Sequence, residues 1–166
     1  EQQIDDVVNE LREGLNNAYR QLRELLTTFR LTLDQPGLKP ALESTIKEFS
    51  ERLNFEIRLT YDLLPHTLTD NQEIHVLQWV REAMENVVKH SQASETSVRI
   101  VQKNGYQIEV CVEYNGVGLP EDKNPAGHYG MVIMQDRSTT LNGEFKVENR
   151  KPGGTRVQLN FTAKHN

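Results

Sequence analysis

Four polar residues, Glu82, Asn86, Lys89 and His90, stand at i, i+4, i+7 and i+8 within a stretch, 70–91, whose apolar residues keep a helical period. At 100° per residue they share one side of a helix with Gln78, while Ile74, Val76, Leu77, Val80, Ala83, Met84, Val87 and Val88 share the other. A carboxylate, a carboxamide, an ammonium and an imidazole in one row can hold a divalent cation and a polyphosphate. The same row also arises as the solvated side of an ordinary surface helix. Three downstream glycine clusters decide between the two: Asn115-Gly116-Val117-Gly118, Gly127-His128-Tyr129-Gly130 and Gly153-Gly154-Thr155. Glycine lets the backbone approach a ligand and aim N–H groups at anionic oxygens, and Gly130 stands where a second helical pattern begins, so the helix dipole adds to the attraction. In this order the pieces describe an ATP pocket.

The surrounding pattern supplies the elements that would position them. Apolar residues at Ile4, Val8, Leu11, Leu15, Ala18, Leu22, Leu25 and Phe29 alternate steps of four and three, a heptad seam. A narrow stripe of this kind needs a partner: a helix of the same domain, a second subunit, or a helix elsewhere in a longer protein. One helix lying on a globular core is the plainer alternative. Asp34, Gln35, Pro36 and Gly37 break the pattern, and Pro40 is placed to open a shorter helix through residue 53. Residues 55–61 alternate like a half-buried strand. Asp70, with Glu73 three positions on, reads as the N-cap of the 70–91 helix. Strand patterns follow at 96–102 and 106–112, joined by a hairpin turn at Lys103-Asn104-Gly105. A loop is expected over 119–130, a helix over 131–141, and strands over 144–148 and 155–162. Segregated strands joined by hairpins favour an α+β fold, a two-layer α/β sandwich with helices on one face of an antiparallel-rich sheet.

Length and composition narrow the function classes. The chain has 166 residues, enough for one domain plus an extended helix, and a net charge of −5. With no basic run, a nucleic-acid surface is not expected. Cys111 is the sole cysteine, read as a buried strand thiol in a reducing compartment. No apolar run approaches the roughly 20 residues of a membrane span. Glu1 in place of an initiator methionine points to a piece of a longer protein.

Residues 81–90, Arg-Glu-Ala-Met-Glu-Asn-Val-Val-Lys-His, resemble the N box of sensor histidine kinases, in the gyrase and histidine-kinase ATPase superfamily. Asn115-Gly-Val-Gly118 resembles the first glycine box, and Gly127-His-Tyr-Gly-Met-Val-Ile-Met134 with Arg137 resembles the second. Residues 21–30, 89–94 and 128–130 are most similar to the nitrate/nitrite sensor kinases. The resemblance implies a protein histidine kinase of two-component phosphorelay signalling that uses ATP and Mg2+. Asn86 would then be the magnesium ligand and Glu82 the neighbouring catalytic carboxylate. Lys89 and His90 would touch phosphate oxygens, Gly116 and Gly118 would shape the pocket, and Gly130 and Met131 would close over the phosphates. Thr155 is expected near the adenine end, beside Tyr114, and 119–130 would be the lid. The implied partners are a response regulator and a second copy of the chain, bound through a helical hairpin. Residues 1–33 would be the second helix of that dimerisation and phosphotransfer hairpin, and 38–166 the catalytic domain. The implied setting is the cytoplasmic part of an inner-membrane sensor, joined to the membrane only through other segments.

Two departures from the family pattern carry consequences. The phosphoacceptor histidine of such kinases lies on the helix before the one that opens this chain. His66, His75, His90, His128 and His165 stand in other contexts, so the fragment should not phosphorylate itself. The family has an aspartate for the adenine amino group where this chain has Tyr114. Losing a charge-assisted hydrogen bond of that kind costs on the order of 1.5–3 kcal/mol, roughly 10- to 150-fold in affinity. The alternative is a dimerisation and response-regulator docking module with impaired nucleotide binding. A superfamily serine kinase of the anti-sigma-factor type would not need the heptad helix.

Overall fold

The computed structural model describes residues 2–29, 37–118 and 129–164, with residues 27, 28, 90, 129 and 130 in backbone only. Its elements are α1 (Gln2–Phe29), α2 (Leu38–Leu53), β1 (Arg58–Asp62), α3 (Asp70–Asn86) continued by a π-helical turn (Val87–Ser91), β2 (Thr96–Gln102), β3 (Gln107–Tyr114), α4 (Tyr129–Thr140), β4 (Glu144–Asn149) and β5 (Thr155–Thr162). The strands form one sheet in the order β1-β2-β3-β5-β4. β1 joins β2 in parallel through the α3 crossover, and every other pair is antiparallel. The α+β, two-layer expectation therefore holds.

Alternation builds the core. Val98 and Ile100, Val110 and Val112, and Val157, Leu159 and Phe161 point from β2, β3 and β5 to the helix side, where Leu42 and Phe49 of α2, Val76, Trp79, Val80 and Met84 of α3, and Met134 of α4 meet them. Trp79 lies edge-on to Phe145 of β4, ring centroids 6.2 Å apart. The other face of the sheet carries a lattice of charges instead of a second layer. Arg99 and Gln158 converge on Glu109, at 2.6 and 3.1 Å, and Arg156 donates to Glu113 at 2.6 Å. Cys111 sits among them, buried as expected; burial and the nearby Glu113 push its thiol up to about 11.

Several boundaries move. The N-cap of α3 is Thr69, not Asp70: Thr69 Oγ1 accepts from the Gln72 backbone N at 3.2 Å, and Gln72 Oε1 accepts from the Thr69 N at 3.3 Å. Asp70 and Glu73 fall inside the first turn, where their charge suits the dipole. The 70–91 helix is regular only to Asn86. From Val87 to Ser91 the turn is π-helical, and Ser91 Oγ donates back to Val87 O at 2.6 Å within it. α2 opens at Leu38, with Pro40 in its first turn, where a missing N–H costs nothing. α1 leaves its whole seam outside the core; Leu15 is 70 % and Leu25 68 % exposed.

Candidate functional site

Two features of α3 go beyond the sequence picture. First, the row holding Glu82 and Asn86 is not the solvated side of a surface helix. Asn86 is 9 % exposed and Gln78 8 %, because α4 and the second half of α1 pack along that side. Second, Glu85 is buried beneath Arg52 of α2, which donates to both its oxygens at 2.9 and 3.4 Å, and Arg23 of α1, at 3.3 Å. Burial pushes Glu85 up, but the Arg52 hydrogen bonds, with Arg23 and Lys89, hold it below the ordinary carboxylate value.

Glu82 lies three residues, about one helical turn, before Glu85, and among the described residues it has no such bond. Burial raises its pKa, and the fields of Arg20, Arg23 and Lys89 offset only part of that. Asn86 closes the α-helix. Among the described residues its side chain makes one weak hydrogen bond, Nδ2 to Met134 Sδ at 3.7 Å. Such a carboxamide, beside Met134 in the middle of α4, retains the capacity to serve a hard cation or a phosphate oxygen. Lys89 is exposed on the π-helical turn, and Met131 is half-buried in the first turn of α4. The side chain of His90, and residues 119–128 with most of the expected lid, lie outside the described residues. Among the described residues no three His, Cys, Asp or Glu side chains converge on a metal position. A magnesium held by Asn86 would take its other ligands from phosphate and water, as is usual for this ion.

The glycines do steric work at the junction of β3 with the π-helical turn. Gly116 has φ +96°, and a Cβ there would lie 2.2 Å from Ser91 O, the same carbonyl that accepts from the Val117 N at 2.8 Å. Gly154 has φ +103° and passes so close to Tyr114 O that a Cβ would sit 2.0 Å away. Gly118 lies against Asn149, whose Oδ1 a Cβ would approach to 2.8 Å. Asn115 is a clip: its Oδ1 accepts from the Ser94 and Glu95 N–H groups at 2.9 and 3.0 Å.

Tyr114 is 5 % exposed, in register between Thr96 of β2 and Thr155 of β5. These three hydroxyl residues form a buried row at the end of the sheet beside the π-helical turn. Burial pushes the phenol up, and a hydrogen bond with Thr155 draws it part of the way back. Thr96 Oγ1 is buried without a hydrogen-bond partner among the described residues. The carboxamide of Asn86 and the glycine-built junction are compatible with a phosphate and its cation, and the position where the resemblance expects an adenine-binding aspartate holds a packed neutral ring.

Sequence reasoning missed Glu85, Arg52, Arg23 and Glu24. The signal for Glu85 was its place eleven residues after Ile74, on the same side of the helix, where an unpaired charge would not be tolerated. It also missed the structural role of Arg81, which donates to both oxygens of Glu48 at 3.1 Å. Arg137 bonds Gln78 Oε1, pairs with Glu24, and approaches Nδ1 of His75 at 3.5 Å. Burial, then Arg20, lowers Arg137 to about 10.

Comparisons with known proteins bear on the family and the fold. Residues 71–165 match the family described as histidine kinase-, DNA gyrase B-, and HSP90-like ATPase. The chain is 46 % identical to the nitrate/nitrite sensor protein NarX of Escherichia coli, over 94 % of this chain and 26 % of that protein. It is 39 % identical to the nitrate/nitrite sensor protein NarQ of the same organism, over 93 % of this chain and 27 % of that one. It thus spans about a quarter of the length of these relatives. Among solved structures, the blue-light activated histidine kinase of Erythrobacter litoralis superposes with a TM-score of 0.71 at 19 % identity, covering 89 % of this chain and 54 % of that one. That likeness concerns the fold.

Proposed function

The chain belongs to the histidine kinase-, DNA gyrase B- and HSP90-like ATPases, and from that premise we propose that it is the catalytic, ATP-binding part of a nitrate/nitrite sensor histidine kinase. In this reading residues 38–166 bind Mg-ATP, and residues 1–33 contribute one helix of a dimerisation hairpin. The γ-phosphoryl passes to a histidine outside this fragment and then to a response regulator, so the fragment alone is inactive in autophosphorylation. Asn86 holds the magnesium, with Glu82 orienting its water shell or the incoming group. Lys89, His90 and the first turn of α4 at Gly130 and Met131 offset phosphate charge. Phosphoryl transfer asks a protein mainly for positioning and charge compensation, and this residue set offers both.

The observation that supports the reading most is the junction at Gly116. Close approach of β3 to the π-helical turn brings the Tyr114 row to the end of α3 that Asn86 closes. Titration calorimetry with ADP, with and without magnesium, tests it. Asn86→Ala should lose magnesium-dependent binding while keeping its melting temperature within a few degrees. Equal binding by that variant removes Asn86 from the metal.

Burial of Tyr114 favours one second reading, a docking module whose base pocket is filled. No helix among the described residues is long and apolar enough to cross a membrane. Attachment to an inner membrane would come through other segments of a longer protein.

A further inference from the structure

A cavity of about 460 Å3 opens between the start of α2, the end of β1, the connector that follows it and the first turn of α3. That volume lies within the range of small-molecule sites. Glu73 lines it, and the rise of α3 puts Glu73 about 20 Å from Asn86, at the other end of the helix. One side of the cavity is apolar: Leu38 and Leu68 are buried members of the core, and Leu63 packs against it. The connector is pinned there, because the N and Oγ1 of Thr67 both donate to Leu64 O, at 3.3 and 2.7 Å. Within that turn His66 holds φ +62°, a left-handed conformation uncommon outside glycine.

The polar side is acidic. Glu73 is half-buried and Asp70 exposed, and among the described residues neither lies within ion-pair distance of a cation. Burial, then Asp70, pushes Glu73 above its ordinary value, and His66 and the Leu38 N–H draw it only part of the way back. Burial and the charge of Glu73 push the Tyr61 phenol up to about 12, and its hydroxyl makes no hydrogen bond among the described residues. Lys39 and His66 line the cavity too, but both are exposed, so water screens their charge more than that of Glu73. A half-buried carboxylate without a cation, next to an aromatic ring and an apolar wall, complements an ammonium carried on a small hydrocarbon body.

We propose that this cavity is a ligand site separate from the nucleotide pocket, and that it takes a small organic ammonium. The charged end meets Glu73, flanked by Asp70 and Tyr61, and the hydrocarbon end meets Leu38, Leu63 and Leu68. The site does not depend on the nucleotide reading.

The test titrates the whole 166-residue chain, isotope-labelled and in phosphate buffer without amines, and follows backbone amide resonances. Three probes of similar size are compared: phenethylammonium, neutral phenethyl alcohol and anionic phenylpropionate. Phenethylammonium should give saturable shifts at residues 37–40 and 61–73, with the millimolar dissociation constant ordinary for so small a ligand. The alcohol and the anion should bind at least about tenfold more weakly, the low end of what a charge-assisted hydrogen bond is worth. Glu73→Gln keeps the shape and should cost the ammonium about tenfold while leaving the alcohol unchanged. Tyr61→Phe should cost it a few-fold, and circular dichroism checks that both variants fold. The comparison of the three probes needs no variant. Absence of saturable shifts at these residues overturns the site. Phenylpropionate binding as tightly as the ammonium, or an unchanged affinity in folded Glu73→Gln, overturns its assignment to a cation. None of these readouts needs nucleotide, so failure of the nucleotide titration refutes the reading of the pocket separately.

Discussion

Replacing Glu85 with alanine removes the acceptor on which three helices converge. Its side chain is 5 % exposed, while Arg52 and Arg23 are 40 % and 24 % exposed. Breaking a fully buried ion pair by deleting one partner costs about 3–5 kcal/mol. Here the stranded charges can rehydrate, and Arg52 keeps its stacking on Phe49, 4.8 Å from the ring centre, so the expected loss is about 1–3 kcal/mol. Glu85→Gln keeps the shape and one acceptor and should lose about 1 kcal/mol less. Urea unfolding followed by circular dichroism measures both, and a double-mutant cycle with Arg52→Met should give a coupling energy of about 1 kcal/mol or more. Because the folded state holds Glu85 below its ordinary value, the stabilisation is fully present above the unfolded carboxylate pKa of 4.5 and is lost as pH falls through the lower folded value. Wild type and Glu85→Ala should therefore converge in strong acid. Zero coupling at pH 7, or a gap that does not narrow as the pH is lowered through the carboxylate range, would refute the junction.

Other perturbations reach the proposed site. Gly116→Ala must relieve a 2.2 Å approach to Ser91 O at φ +96° and should cost at least about 2 kcal/mol; a melting curve matching the wild type would show the junction to be compliant. Glu82→Gln should raise the melting temperature at pH 7 while removing any function of the carboxylate. Burial holds Glu82 above its ordinary value, so folding takes up a proton; the penalty is complete above that raised value and fades as pH drops to the unfolded one. A lowered melting temperature at pH 7 would mean that its arginine neighbours outweigh its desolvation.

Much of the fold could be read from period alone. β2 and β5 keep their expected limits, and α3 and α4 lie within a few residues of theirs, because one buried face imposes a clear alternation on each. What the sequence left open has separate causes. Helical geometry says which residues share a side but not what covers it, so the row of Gln78, Glu82 and Asn86 could not be assigned its neighbours until α1 and α4 were laid across it. The cap moved by one residue because Thr69, Asp70, Gln72 and Glu73 all have capping chemistry, and only the reciprocal Thr69–Gln72 bonds decide. The Arg23–Glu85–Arg52 junction joins residues 33 or more apart in sequence, beyond any local pattern. Gly116 was legible as a glycine in the right order, though its carbonyl neighbour was not.

The central claim, that this end of the sheet is an ATP pocket weakened at one residue, is tested most directly by titrating ADP with magnesium into the chain and into Tyr114→Asp side by side. The account predicts binding by both, tighter in the variant by roughly 10- to 150-fold, the worth of a charge-assisted hydrogen bond to the base. Binding by the variant alone would make the native chain a docking module built on a kinase fold. Absence of binding by both, with each still folded, would contradict the account.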